Sequence, residues 1–225
     1  MTYTDHWDEK FRNRSWGRYP PEDLVRFIGR NYKDHDRGSV RILEIGCGPG
    51  ANIWFLHREG YSTAGIDISS AAIEIASNRL VTENRECSTG VADLRVGSFH
   101  ELPWPDGHFD VVIDIFALYA NPLKVISDTL NEVGRVLKPN GSFYSKLWGT
   151  RTTGFGTGVE LEPHTFDGVT AGPCAGMGLS HFFDLQELSQ VFVPRFSIVE
   201  VETVFRHSTA HNQDIEEFHC QFRKS

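Results

Sequence analysis

The chain has 225 residues, of which 40% are hydrophobic and 23% charged, and its 22 Lys and Arg against 30 Asp and Glu give a formal net charge of -8. The length suits one domain with a full core, and the composition is that of a soluble globular protein. The negative balance argues against a surface built to neutralise phosphates, so no nucleic-acid partner is expected, although Arg12, Arg14 and Arg18 gather near the start.

No run of about 18 apolar residues occurs, and residues 2–14 are polar, so neither a spanning helix nor a signal peptide fits and no membrane partner is expected. The four cysteines, Cys47, Cys87, Cys174 and Cys220, are widely spaced without a C-x-x-C pair. Zinc and a disulfide framework are therefore poor readings, and a cytoplasmic location is expected.

In chain order, residues 2–21 are aromatic and charged, with Trp7, Phe11, Trp16 and Tyr19. Pro20-Pro21-Glu22 starts a helix to about Tyr32, with Leu24, Val25, Phe27 and Ile28 as its apolar stripe. Residues 40–45 read as a buried strand that breaks into three alternate glycines, Gly46, Gly48 and Gly50, before a helix over 52–58. A second strand, 61–68, carries Asp67 near its end, and Ser69 caps a helix in which Ala72, Ile73, Ile75, Ala76 and Leu80 fall at helical spacing. The third strand lies within 90–97 and the fourth over 109–116. A helix over 123–137 stops before Lys138-Pro139-Asn140-Gly141, a turn into a fifth strand over 142–148. Residues 149–181 are rich in Gly and Thr with little periodicity, and so long a connection is usually functional. Asp184 starts a helix to about 192, and 196–205 and 215–222 form a closing hairpin.

This alternation predicts the α/β class: a Rossmann-like, seven-stranded, mostly parallel sheet with helices on both faces and an antiparallel edge hairpin. The expected organisation is a single domain over 1–225. It divides into an N-terminal arm and helix (1–39), a ligand-binding core (40–148), a lid or substrate segment (149–183) and a closing helix with edge strands (184–225).

In an open α/β sheet, ligands sit beyond the carboxyl ends of the strands, where strand order reverses. The run from Glu44 to Gly50 lies at that rim, and its missing side chains let backbone lie directly against a ligand at a helix N-terminus. Asp67 is placed to accept both hydroxyls of a ribose, or simply begins the next helix turn. The glycines alone leave the nucleotide open, because Gly46, Gly48 and Ala51 also satisfy the looser dinucleotide fingerprint.

Glu-x-Gly-x-Gly-Pro-Gly over 44–50, the acid Asp67 some twenty residues on, Leu102-Pro103-Trp104-Pro105-Asp106-Gly107-His108-Phe109-Asp110, and the segment ending Leu137-Lys138-Pro139-Asn140-Gly141 belong together. They resemble the class I S-adenosylmethionine-dependent methyltransferases, in the small-molecule group labelled methyltransferase type 11. The resemblance covers about residues 40–148. It implies S-adenosyl-L-methionine as cofactor, S-adenosyl-L-homocysteine as product, and a small-molecule methyl acceptor. O- or N-methylation of a sugar or natural-product precursor is expected, from a monomer or homodimer.

Carried over by position, Gly46, Cys47, Gly48 and Gly50 pass under the methionine part, Glu44 anchors its amino group, Asp67 holds the ribose and Ile68 packs on the adenine. Ser98 stands where the family usually has an Asp that accepts the adenine amine, and Phe99 offers its backbone N–H. Asp114 to Phe116 face the sulfonium and the methyl acceptor, and Trp16 belongs to an arm that folds over the cofactor. For a base toward an acceptor hydroxyl the candidates are His181, His164 and Asp167, with Tyr119 orienting the acceptor; His181 otherwise only caps the helix near Asp184. Ten histidines supply no helical metal pair, so no metal is expected. A cofactor-binding protein without catalysis remains an alternative. So does a nicotinamide-dependent oxidoreductase, although Tyr144-Ser145-Lys146 lacks the tyrosine–lysine spacing that chemistry needs.

Overall fold

A computed structural model describes residues 3–83 and 91–225. Cys87 and the expected start of the third strand at Gly90 lie outside the described residues. Helices α1 (Tyr3–Asn13) and α2 (Glu22–Tyr32) precede strand β1 (Arg41–Ile45), which leads through the glycine turn into α3 (Ala51–Arg58). Then follow β2 (Ser62–Asp67), α4 (Ser70–Glu83), β3 (Ala92–Val96), β4 (Phe109–Ile115), α5 (Leu123–Val136) and β5 (Leu137–Trp148). Three short strands, β6 (Val159–Glu162), β7 (Thr165–Asp167) and β8 (Ser180–His181), precede α6 (Leu185–Phe192) and the hairpin of β9 (Phe196–Ser208) and β10 (Gln213–Lys224).

The main sheet has the order β3-β2-β1-β4-β5-β10-β9, parallel through the first five strands and antiparallel in the last two. Strand order reverses between β1 and β4, and that is where a crevice opens. The central strands are near-continuous apolar runs because helices cover both their faces. Leu43, Ile45 and Val112 pack with Ile126, Leu130 and Val133 of α5 on one side. Ile42, Val111 and Ile113 pack with Leu24 and Phe27 of α2 and Leu56 of α3 on the other. Each such side chain contributes about 1.5–3 kcal/mol by burial. The period of two also sends Glu44 to the same side as Ile42, toward α3.

Two expectations change. Residues 3–13 form a helix, because Trp7 and Phe11 at i,i+4 need one face to pack together. The turn at 138–141 lies inside β5: pairing runs from Phe109↔Leu137 to Val111↔Ser142 and leaves four residues looped out. Pro139 has no N–H for the ladder and Asn140 takes φ +61°, so the bulge follows from the residue types.

The 149–183 segment folds around the small antiparallel sheet β6-β7-β8. Its Phe166, Val169, Cys174 and Phe182 join Tyr119 and Ala120 in a separate aromatic core, against which Trp7, Phe116 and Trp148 pack. That core fixes the segment over the carboxyl end of the sheet. Among the described residues, no helix is long and apolar enough to cross a membrane.

Candidate cofactor and acceptor site

A cavity of about 370 Å³ opens at the carboxyl ends of β1, β2 and β4. Its floor is Gly46, Asp67 and Ile68, one wall is Ser98, Phe99 and His100, and its roof is Trp7 and Phe11 of α1. The opposite wall is apolar, with Phe116, Ala117, Ala120, Pro122 and Leu179 beside the amide of Asn121.

The floor requires glycine. Gly46 has φ +61°, and a Cβ there would lie 2.3 Å from the Ala117 Cβ. Asp67 is held rigidly: Gly48 N–H donates to its Oδ2 at 2.8 Å and Ser69 N–H to its Oδ1 at 2.9 Å. Burial pushes its carboxyl up to about 6, against those two bonds. Glu44 lies behind the turn, where its Oε1 accepts from Asn52 Nδ2 at 2.6 Å and its Oε2, fully buried, has no partner. Burial is the main cause that pushes Glu44 up to about 8, and the nearby Asp67 and Asp114 add to it. An acceptor oxygen left unsatisfied beside a side-chain-free turn fits a site for a bound ammonium.

Helix α1 is fastened at both sides of the cavity. Asp8 accepts from Ser69 Oγ and, at 3.2 Å, from Ala71 N–H at the first turn of α4, where Ser69 Oγ also caps Ala72 N–H at 3.1 Å. The bond from Ser69 holds the Asp8 carboxyl below its ordinary range. On the other side, Lys10 donates to the Gly176 carbonyl, Arg14 contacts Met177 Sδ, and His6 Nε2 meets the Met177 carbonyl at 3.2 Å.

Of the cofactor residues expected from sequence, Gly46, Asp67, Ile68, Ser98 and Phe99 line the cavity. The rest do not. Gly48 bonds Asp67 through its N–H, while Gly50, with φ +76°, lets α3 approach Ala76 of α4. Cys47 is buried with Ile53 and Ile73, its thiol pushed up by burial. Trp16 packs behind Phe11, ring centroids 4.8 Å apart, so Phe11 rather than Trp16 faces the cavity.

Asp114 does not face an acceptor. Its Oδ1 accepts from Ala117 and Leu118 N–H at 2.9 and 3.0 Å, and its Oδ2 from Ser145 Oγ at 2.6 Å. The carboxyl is fully buried and pushed up to about 6 by that burial. What it does is shape the turn that sets Phe116 in the wall with φ +56°, a conformation strained for an aromatic residue. Stacking on Trp148 at 3.9 Å and the Lys146 ammonium 5.1 Å from the ring centroid hold Phe116 there.

The expected base candidates also lie away from the cavity lining. His181 is fully buried, its Nδ1 2.6 Å from Thr165 Oγ1 and its Nε2 3.2 Å from Glu187 Oε2. Thr165 Oγ1 also lies 3.1 Å from Glu162 Oε1, which accepts from Leu123 N–H at 2.6 Å. His164 Nδ1 shares Glu187 Oε2 at 3.0 Å. Burial works to raise Glu187, yet the bonds from the two histidines hold its carboxyl below the ordinary value. The cluster ties the 149–183 segment to α6 and to the start of α5. Tyr119 is buried beside Trp148, centroids 6.2 Å apart, and Asp167 is exposed on β7.

The sequence reading missed Trp7, Phe11, His100, Asn121 and Leu179 as cavity residues. A signal existed for the first two, an aromatic pair at i,i+4 in an otherwise polar stretch.

Residues 42–141 match the family described as "Methyltransferase domain". This core belongs to the class I S-adenosylmethionine-dependent methyltransferases. The methyltransferase core is 28% identical over 143 residues to the tRNA N(3)-cytidine methyltransferase METTL2 of Gallus gallus, covering 60% of this chain and 38% of that protein. It is 29% identical over 147 residues to the phthiotriol/phenolphthiotriol dimycocerosates methyltransferase of Mycobacterium tuberculosis, covering 59% and 51%. The chain thus spans about half or less of the length of these curated relatives. In fold, it is similar to a SAM-dependent methyltransferase of Methanosarcina mazei, with a TM-score of 0.73 and 24% identity over 92% of this chain and 98% of that one.

Proposed function

We propose that this methyltransferase moves the methyl group of S-adenosylmethionine to a small, largely apolar acceptor by in-line displacement. The observation that carries the reading is the cavity itself, in which a polar floor that suits the cofactor meets an apolar wall that suits an uncharged acceptor. When bound, S-adenosylmethionine supplies a methyl group already activated on a sulfonium, so the protein mainly aligns the partners and excludes water.

Glu44 Oε2 would take the cofactor's ammonium, Asp67 its ribose hydroxyls, and Ser98 with Phe99 its adenine edge. Phe116, Ala117, Ala120 and Leu179 keep the acceptor side dry, and Trp7 with Phe11 closes it from above. Asp67 and His100 are the titratable side chains among the described lining residues, and both stand on the cofactor side. The acceptor wall therefore offers orientation rather than proton abstraction, which favours an acceptor atom that is nucleophilic as bound, such as an uncharged nitrogen. The 149–183 segment, packed on that wall, sets acceptor selectivity. Of the two curated relatives, the tRNA enzyme speaks for a nucleic-acid acceptor. The net charge of -8 and the roofed cavity speak against one here.

The test is incubation of the protein with methyl-labelled S-adenosylmethionine and, separately, metabolite fractions and total tRNA. Label in an apolar metabolite fraction supports the reading; label in tRNA alone refutes it.

A further inference from the structure

Ser98 and His100 stand together on the cavity wall, with Ser98 Oγ 2.7 Å from His100 Nδ1. They share one turn, closed by the Glu101 N–H to the Ser98 carbonyl at 3.3 Å. Phe99 between them anchors that turn, packing against the main hydrophobic core. The pair is thus held in register by backbone and core, while the His100 ring stays exposed.

A hydroxyl both donates and accepts, so a lone serine facing a purine edge does not distinguish a 6-amino from a 6-oxo group. The neighbour changes that. When His100 carries its ring proton on Nε2, in water, its Nδ1 takes the Ser98 proton and leaves only oxygen lone pairs toward the cavity. Ser98 then accepts without donating.

We propose that His100 is the positioning residue that fixes the Ser98 hydroxyl as an acceptor, so that the pair selects a 6-aminopurine cofactor over its 6-oxo counterpart. This rests on the reading that the cofactor's purine lies against Ser98. His100 touches no reacting atom; it acts through Ser98.

The test is calorimetric titration of the full chain with S-adenosylhomocysteine and with S-inosylhomocysteine, the 6-oxo analogue. The wild-type protein binds the amino compound more tightly. In His100→Ala the freed hydroxyl can donate as well as accept, so S-inosylhomocysteine gains a hydrogen bond and binds about three- to tenfold more tightly. S-adenosylhomocysteine changes little, and the ratio of the two affinities falls toward one. His100→Asn, whose side-chain oxygen can take the place of Nδ1, restores most of the ratio. Equal weakening of both ligands in His100→Ala, or no change in either, overturns the proposal, since a merely structural histidine acts on both alike. Wild-type protein that binds neither ligand refutes the cofactor reading itself and this proposal with it.

Discussion

Replacing Glu44 by Gln should stabilise the fold at alkaline pH and remove its proposed charge pairing with the cofactor, a trade that follows from one buried carboxyl. Glu44 has an unpartnered Oε2, and burial raises it from an ordinary 4.5 to about 8. The folded state therefore holds a proton that the unfolded chain has released between these two values. Stability from this group is fully present below about 4.5 and is lost as pH rises through about 8. At ~1.4 kcal/mol per pH unit, the rise sets a ceiling of about 5 kcal/mol on the loss. Asp67 and Asp114, each pushed up to about 6, titrate inside the same window, and their charges add to the cost of ionising Glu44. Glutamine keeps the shape and does not ionise. Urea unfolding of both proteins should therefore show nearly equal stability at pH 5 and a gain for Glu44→Gln of a few kcal/mol by pH 8.5. A difference that stays constant between those pH values, or favours Glu44 at high pH, refutes the reasoning.

Other substitutions probe the remaining parts of the site. Gly46→Ala places a Cβ 2.3 Å from the Ala117 Cβ at φ +61°, so it should cost at least ~1–2 kcal/mol and abolish S-adenosylhomocysteine binding, measured by thermal unfolding and calorimetry. Asp8→Ala removes the bonds from α1 to the first turn of α4, worth ~1 kcal/mol, and should expose residues 3–13 to faster amide exchange while weakening cofactor binding severalfold. His181→Ala breaks a buried bond network and should lower stability by about 1–3 kcal/mol while the folded fraction keeps its turnover within tenfold. A thousandfold loss of kcat at unchanged stability would instead return His181 to the role of a base.

The cofactor side of the fold was legible because its signals are local. A β-strand must end in an acid and side-chain-free turns for Glu44, Gly46 and Asp67 to stand as they do, and sequence spacing records that directly. The acceptor side depends on long-range contacts. Asp114 looked like a residue of the rim, yet three donors from Ala117, Leu118 and Ser145 use its oxygens, and only the fold brings Ser145 to it. His181 likewise carries no sequence mark of burial; Thr165 and Glu187 reach it through the small sheet and α6. Helix α1 was visible as an aromatic arm, but its place above Gly48, with Phe11 Cε1 3.3 Å from where a Cβ would lie, is a tertiary fact.

The central claim is the proposal that the cavity above Gly46 holds S-adenosylmethionine, with Glu44, buried behind the turn rather than in the lining, as the partner of its ammonium. The most direct measurement is calorimetric titration with S-adenosylhomocysteine at pH 7 in two buffers of different ionisation enthalpy, with NAD as comparator. Glu44 starts largely protonated there and must ionise to pair with the ligand ammonium, so binding should release close to one proton, and NAD should not bind. NAD binding, or S-adenosylhomocysteine binding that Glu44→Gln leaves unchanged in affinity and proton release, would contradict the account.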